Sequence, residues 1–163
     1  MIASNQLTMT GVDGKSVYSF ADDGELYTHR IRKLPSGEPR EEHGIVIETK
    51  LPALQGGDDY DSECVISLSW VDAHFDSESI LQKLIEIPTS YDESIADHVT
   101  NLYYYEHLGF DNVRLRFVDR DDDRFRIELT GACDDPNNGP DGRLDIHVDT
   151  VVRLRRVSAE QTG

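Results

Sequence analysis

The sequence predicts an α+β fold: an antiparallel β-sheet of about six to seven strands with two consecutive central helices packed on one face. Three observations predict it. Apolar and polar residues alternate in the first and last thirds, the middle carries apolar residues at helical spacing, and Gly, Pro and Asp clusters punctuate the alternating segments. The order is therefore β-rich, then αα, then β-rich. With 163 residues and 37% hydrophobic content, residues 1–163 form a single domain with a real core and flexible ends at 1–12 and 158–163.

Ser16–Phe20 and Glu25–Ile31 flank Asp22-Asp23-Gly24, a hairpin signal with a glycine available for positive φ. Pro35–Pro39 is a second turn cluster, followed by a strand over Gly44–Leu51 that Pro52 ends. Gly56–Glu63 reads as a flexible acidic loop. In the next strand, Cys64–Val71, Ile66, Leu68 and Trp70 share one face while Ser67 and Ser69 share the other.

Capping candidates at Asp76–Ser79 precede Ile80, Leu81, Leu84 and Ile85, which predicts a first helix ending at Pro88. Ser90 and Glu93 have the spacing of a capping box, Ile95, Val99 and Leu102 supply a buried stripe, and Gly109 closes the second helix. From Asn112 the period returns to two, with Val113, Leu115 and Phe117, then Phe125, Ile127 and Leu129, then Leu144 to Leu154.

Asp119, Asp121 and Asp123 alternate like the first ligands of a calcium loop. Such a loop needs glycine at its sixth position and a carboxylate at its twelfth, where this chain has Arg124 and Thr130. The flanks are strands, so the run is the charged tip of a hairpin. Arg114 or Arg116 then stands opposite Glu128.

The formal net charge of -16 argues against binding a phosphate backbone or an anionic membrane. It suits solubility, a basic protein partner, or mimicry of nucleic acid. No apolar run approaches the roughly 20 residues of a membrane helix, and Met1–Gln6 lacks the start of a secretory signal. The expected compartment is the cytoplasm, with Cys64 and Cys133 as reduced thiols.

Two segments place carboxylate, imidazole and carboxylate at alternate positions: Asp72, His74 and Asp76, and again Asp145, His147 and Asp149. On a strand each triplet projects from one face, a pattern that could hold a divalent ion or orient a histidine as a base. The second triplet lies opposite the apolar row Leu144, Ile146, Val148 and so faces solvent. The first more naturally ends a strand and caps a helix. The run Tyr103-Tyr104-Tyr105 suits a protein-contact patch on the second helix, as does the acidic loop around Asp58, Asp59, Tyr60 and Asp61.

Phosphate loops, nucleophile elbows, H-E-x-x-H and C-x-x-C are all missing from the sequence, and the acidic neighbourhood of Cys64 opposes thiolate formation. The expected function is non-catalytic binding of a macromolecule, of the adaptor or immunity-protein kind, with no cofactor. A hydrolase using an Asp-x-His-x-Asp metal site and a nucleic-acid mimic are the alternatives. An exposed strand edge near the first hairpin would allow a homodimer by strand pairing.

Overall fold

The computed structural model describes residues 1–50, 63–72, 75–76, 78–81, 83–104, 106–135 and 142–155. Every regular element among them is a strand: β1(Gln6–Gly11), β2(Gly14–Ser19), β3(Gly24–Lys33), β4(Pro39–Lys50), β5(Glu63–Trp70), β6(Leu84–Ile87), β7(Tyr91–Asp92), β8(Asp97–His98), β9(Thr100–Tyr104), β10(Glu106–Leu108), β11(Asp111–Asp121), β12(Arg124–Asp134) and β13(Arg143–Arg155). One mixed 11-stranded sheet runs β10-β9-β5-β4-β3-β13-β12-β11-β6, with β1 also on β13 and β2 on β1. β7 and β8 form a separate two-stranded arm. Among the described residues no helix is long and apolar enough to cross a membrane.

The α+β expectation is thus overturned, and the fold is all-β among the described residues. Ile80, Ile85, Ile95, Val99 and Leu102 are buried, as the helical reading requires. Burial alone does not discriminate: Ile85 and Leu102 are buried in strands β6 and β9, and Ile80, Ile95 and Val99 in the turns and connections around them. Composition and pairing decide the outcome. Leu84-Ile-Glu-Ile87 is rich in β-branched residues, and it pairs with β11, Ile85 opposite Leu115 and Ile87 opposite Val113. The capping box does not form: Ser90 Oγ donates to the Thr100 carbonyl at 3.0 Å. Instead Asp92 Oδ1 accepts the Ser94 N–H at 2.9 Å, in the turn of the arm. Gly109 serves close packing, since a Cβ there would collide with the Ser90 side chain.

The hairpin predicted around Asp22–Gly24 is also corrected. β2 pairs with β1, while β3 pairs with β4 and β13. Gln6–Gly11, expected within a flexible end, is a strand held between β13 and β2. The β11–β12 hairpin is as predicted, with Asp121 opposite Arg124, Asp122 at φ 55° in its tip and Arg116 opposite Glu128. Residues 158–163 lie outside the described residues.

The sheet is rolled, and an aromatic contact shows it. β5 and β11 stand third and eighth in the strand order, which in a flat sheet is five spacings, roughly 24 Å. Yet the Phe75 ring lies 5.6 Å from Trp70 of β5 and 6.1 Å from Phe117 of β11. The inner faces therefore meet in one core, where Leu7, Leu26, Ile45, Ile66, Leu102, Phe117, Phe125 and Ile127 are fully buried.

Because Phe75 fills the space between distant strands, Phe75→Ala is expected to cost about 3–5 kcal/mol of unfolding free energy in urea titration. A loss below about 1 kcal/mol would contradict its bridging position.

Candidate functional site

Strand β4 separates two arrangements of polar groups, one on each of its faces. Glu41, His43, Ile45 and Ile47 alternate toward the interior, while Arg40, Glu42, Gly44 and Val46 point the other way. Between the pairs Tyr27–Gly44 and Arg30–Glu42 the register shifts, so Thr28 and His29 together face His43. This is a β-bulge, and His29 adopts φ 56° within it.

On the interior face, His43 is buried beside Phe75 and Trp70, with ring centroids 4.3 and 6.1 Å away. Its Nε2 lies 3.0 Å from the Asp72 carbonyl, and its Nδ1 lies 3.2 Å from the His29 backbone N–H. A carbonyl only accepts and an N–H only donates, so the proton sits on Nε2 and Nδ1 presents a lone pair. Burial, followed by the neighbouring His29, lowers the His43 pKa despite the opposing Asp72 carbonyl. His29 Nδ1 in turn contacts Glu41 Oε1 at the exposed rim.

Two hollows share Ser69 and Val99 and border the β7–β8 arm, the larger one on the opposite face of β4. The arm is pinned by Arg40 to Asp92 at 3.0 Å and by Arg32 to Asp97 at 2.9 Å. Arg32 Nε also donates to both oxygens of the buried Glu42, at 2.9 and 3.1 Å. The hydroxyl of Ser94, then Arg40, holds Asp92 below the usual carboxylate range. The backbone N–H of His98, then Arg32, does the same for Asp97.

The larger hollow, about 400 Å³, has a floor of Gly44, Ser67 and Ser69. Gly44 must stay bare, because a Cβ would come within 2.7 Å of the Leu68 carbonyl. The guanidinium groups of Arg30 and Arg155 lie over the Tyr27 ring at its edge, 5.4 and 5.9 Å from the centroid.

The second hollow, about 330 Å³, is walled by Trp70, Pro88 and Tyr91, with Glu86, Asp92 and Glu93 around it. Two buried donors on residues that line it, Arg40 Nε and Trp70 Nε1, have no hydrogen-bond acceptor among the described residues, Arg40 Nε lying 3.7 Å from Glu42 Oε2. An unsatisfied buried donor costs about 1–3 kcal/mol.

The sequence-predicted residues fall elsewhere. Asp58, Asp59, Tyr60 and Asp61 lie outside the described residues, as do Tyr105 and His74. Tyr104 ends strand β9 and is not part of a helix surface. Asp72 is ion-paired with Lys83, and Asp76 accepts the Glu78 N–H at 2.9 Å in a turn, with no helix following. Asp145, His147 and Asp149 do share the polar side of β13, with Asp145 and His147 exposed. Asp149 is already engaged, accepting Arg126 through both oxygens at 2.9 and 3.1 Å and the Ser4 N–H at 3.0 Å. Burial alone would raise its pKa, but Arg126 and Ser4 outweigh it and the carboxyl is lowered.

Two further pairs resemble reaction chemistry and are accounted for structurally. Ser90 Oγ sits 2.9 Å from His98 Nδ1, but its one proton goes to the Thr100 carbonyl, so the imidazole donates to it and does not activate it. Burial pushes both thiols, Cys64 and Cys133, up to about 12, which leaves no thiolate at neutral pH.

Sequence reasoning missed Arg40, Trp70, Tyr91, Glu86 and Glu93, and also His29, Glu41 and His43. The Glu41-x-His43 alternation was a visible signal, but His29 joins it only through a bulge that no local pattern announces. Comparison with family models, curated proteins and solved structures gave no match.

Asp149→Asn is expected to lower stability by about 1–3 kcal/mol at pH 7, the range of a charge-assisted hydrogen bond. The folded pKa of Asp149 lies below the ordinary value of 3.8. The stabilisation is therefore present above that value and lost as pH falls through the folded pKa. Urea titrations of both proteins should converge in acid; a gap independent of pH would contradict the ion-pair role.

Proposed function

We propose that this chain is a non-catalytic binding protein that receives a basic segment of a partner protein in the hollow walled by Trp70, Pro88 and Tyr91. The observation that carries this reading is the hollow itself, with exposed Tyr91 in its lining and the carboxylates of Glu86, Asp92 and Glu93 around it. Lys or Arg side chains of an extended segment meet Glu86, Asp92 and Glu93. Tyr91, exposed at the rim, offers the kind of aromatic surface on which interfaces concentrate their energy. The net charge of -16 steers such a partner toward the protein from a distance.

Binding is favoured over a reaction centre because several groups with catalytic potential among the described residues are held by another protein group or stay protonated. Ser90 donates to a carbonyl, Asp149 is clamped by Arg126, and both thiols stay protonated. The reading places the protein in the cytoplasm, where Cys64 and Cys133 remain free thiols.

The test is a random-peptide display selection on the immobilised protein, repeated at low and high salt. Enriched peptides should carry Lys or Arg, weaken with salt, and bind Glu86→Gln/Glu93→Gln protein roughly tenfold less tightly, equivalent to about 1.4 kcal/mol. Peptides that are not basic, or whose binding ignores both salt and the double substitution, would overturn the proposal.

A further inference from the structure

We propose that His29, Glu41 and His43 form a site for one borderline divalent cation, with zinc as the reference ion. One ligand atom from each residue lies within 4.8 Å of the other two. Two imidazole nitrogens and a carboxylate oxygen are a donor set suited to zinc, with a fourth position left for water. Calcium and magnesium, which prefer oxygen ligands, fit it poorly.

The backbone is shaped to make this cluster. In an unbroken ladder continuing from Tyr27–Gly44, His29 would stand opposite Glu42, on the other face of the sheet. The bulge adds one residue, restoring the ladder at Arg30–Glu42 and bringing the His29 side chain against Glu41 and His43. His29 takes φ 56° to do so, a conformation that is uncommon for a residue other than glycine. A bulge that re-aims one side chain at two potential ligands is a feature of site construction.

His43 is also oriented as metal-bound histidines are. Its Nε2–H donates to a fixed backbone carbonyl, that of Asp72, which leaves the Nδ1 lone pair on the cluster side. Phe75 and Trp70 form a dry wall behind it. His29 and Glu41 are more than half exposed and form the entry. The ion takes the place of the His29 Nδ1–Glu41 Oε1 hydrogen bond, whose proton passes to solvent. It also displaces the His29 N–H from His43 Nδ1, a bond of 3.2 Å at the long end of the range.

The site is independent of the peptide-binding proposal, and its test uses the metal alone. Zinc is titrated calorimetrically into tag-free, chelator-stripped protein, and Co²⁺ is added separately to record its visible spectrum. One equivalent should bind with a dissociation constant of about micromolar or tighter, and Co²⁺ should give the intense bands of a four- or five-coordinate ion. His29→Asn keeps a residue tolerant of positive φ, and Glu41→Gln is an exposed change, so both should fold with unchanged urea midpoints. Each should weaken zinc at least about tenfold, while His147→Ala leaves it unchanged. Weak binding of several equivalents, full affinity in either variant, or loss on His147→Ala would each overturn the assignment.

Discussion

The pairing of β13 on both of its edges is the constraint from which the rest of the structure follows. One edge is occupied along its length by β12, from Arg143–Asp134 to Arg153–Arg124. The other edge is shared. β1 takes Asp145–Asp149 antiparallel, and β3 takes Val152–Arg155 parallel. A strand of thirteen residues is long enough to serve both partners in succession. Its burial pattern records the change: outward-facing Asp145 and His147 alternate with buried apolar residues, and then Val148 to Val152 are buried without a break. Such a run is what a strand covered on both faces shows. The N-terminal residues contribute to that cover, with the Ser4 N–H on Asp149 and Asn5 within reach of Thr150.

Among the described residues, the parallel contact with β3 is the one link in the strand order between the β10-β9-β5-β4-β3 half and the β13-β12-β11-β6 half. With both halves on one sheet, rolling brings Trp70 and Phe117 to opposite sides of Phe75. The same roll sets the ends of β5 and β6 beside the β7–β8 arm, where Trp70, Ile87 and Tyr91 line one hollow. β4 then serves two purposes. Arg40 and Glu42 fasten the arm on one face, while Glu41 and His43 meet His29 on the other.

Legibility in the sequence follows how local each feature is. The β11–β12 hairpin and the strand from Cys64 were readable because their apolar residues alternate over several positions between clear turns. The middle of the chain is misread because Ile95 and Val99, buried four apart in the turn of the arm and between β8 and β9, imitate a helical stripe, and Ser90 and Glu93 imitate a cap. There the β-branched and tyrosine content was the better guide. The pairing of β3 with β13 joins residues more than a hundred positions apart, beyond any local pattern. The candidate sites are similarly nonlocal. Asp-x-His-x-Asp caught the eye in a chain rich in Asp, yet its Asp149 is an ion-pair partner of Arg126. His29 reaches Glu41 and His43 only after a register shift, and the orphaned Trp70 donor is visible only once its cover is known.

Amide hydrogen exchange along β3 and β13, followed at increasing denaturant below the unfolding transition, tests the central role of this junction most directly. The account predicts that amides in Gly24–Tyr27 and Val152–Arg155 exchange with the same strong denaturant dependence and the same free energy as core amides of β12, because opening the junction unrolls the whole sheet. Exchange through a low-energy local opening, insensitive to denaturant while β11 and β12 stay protected, would contradict it.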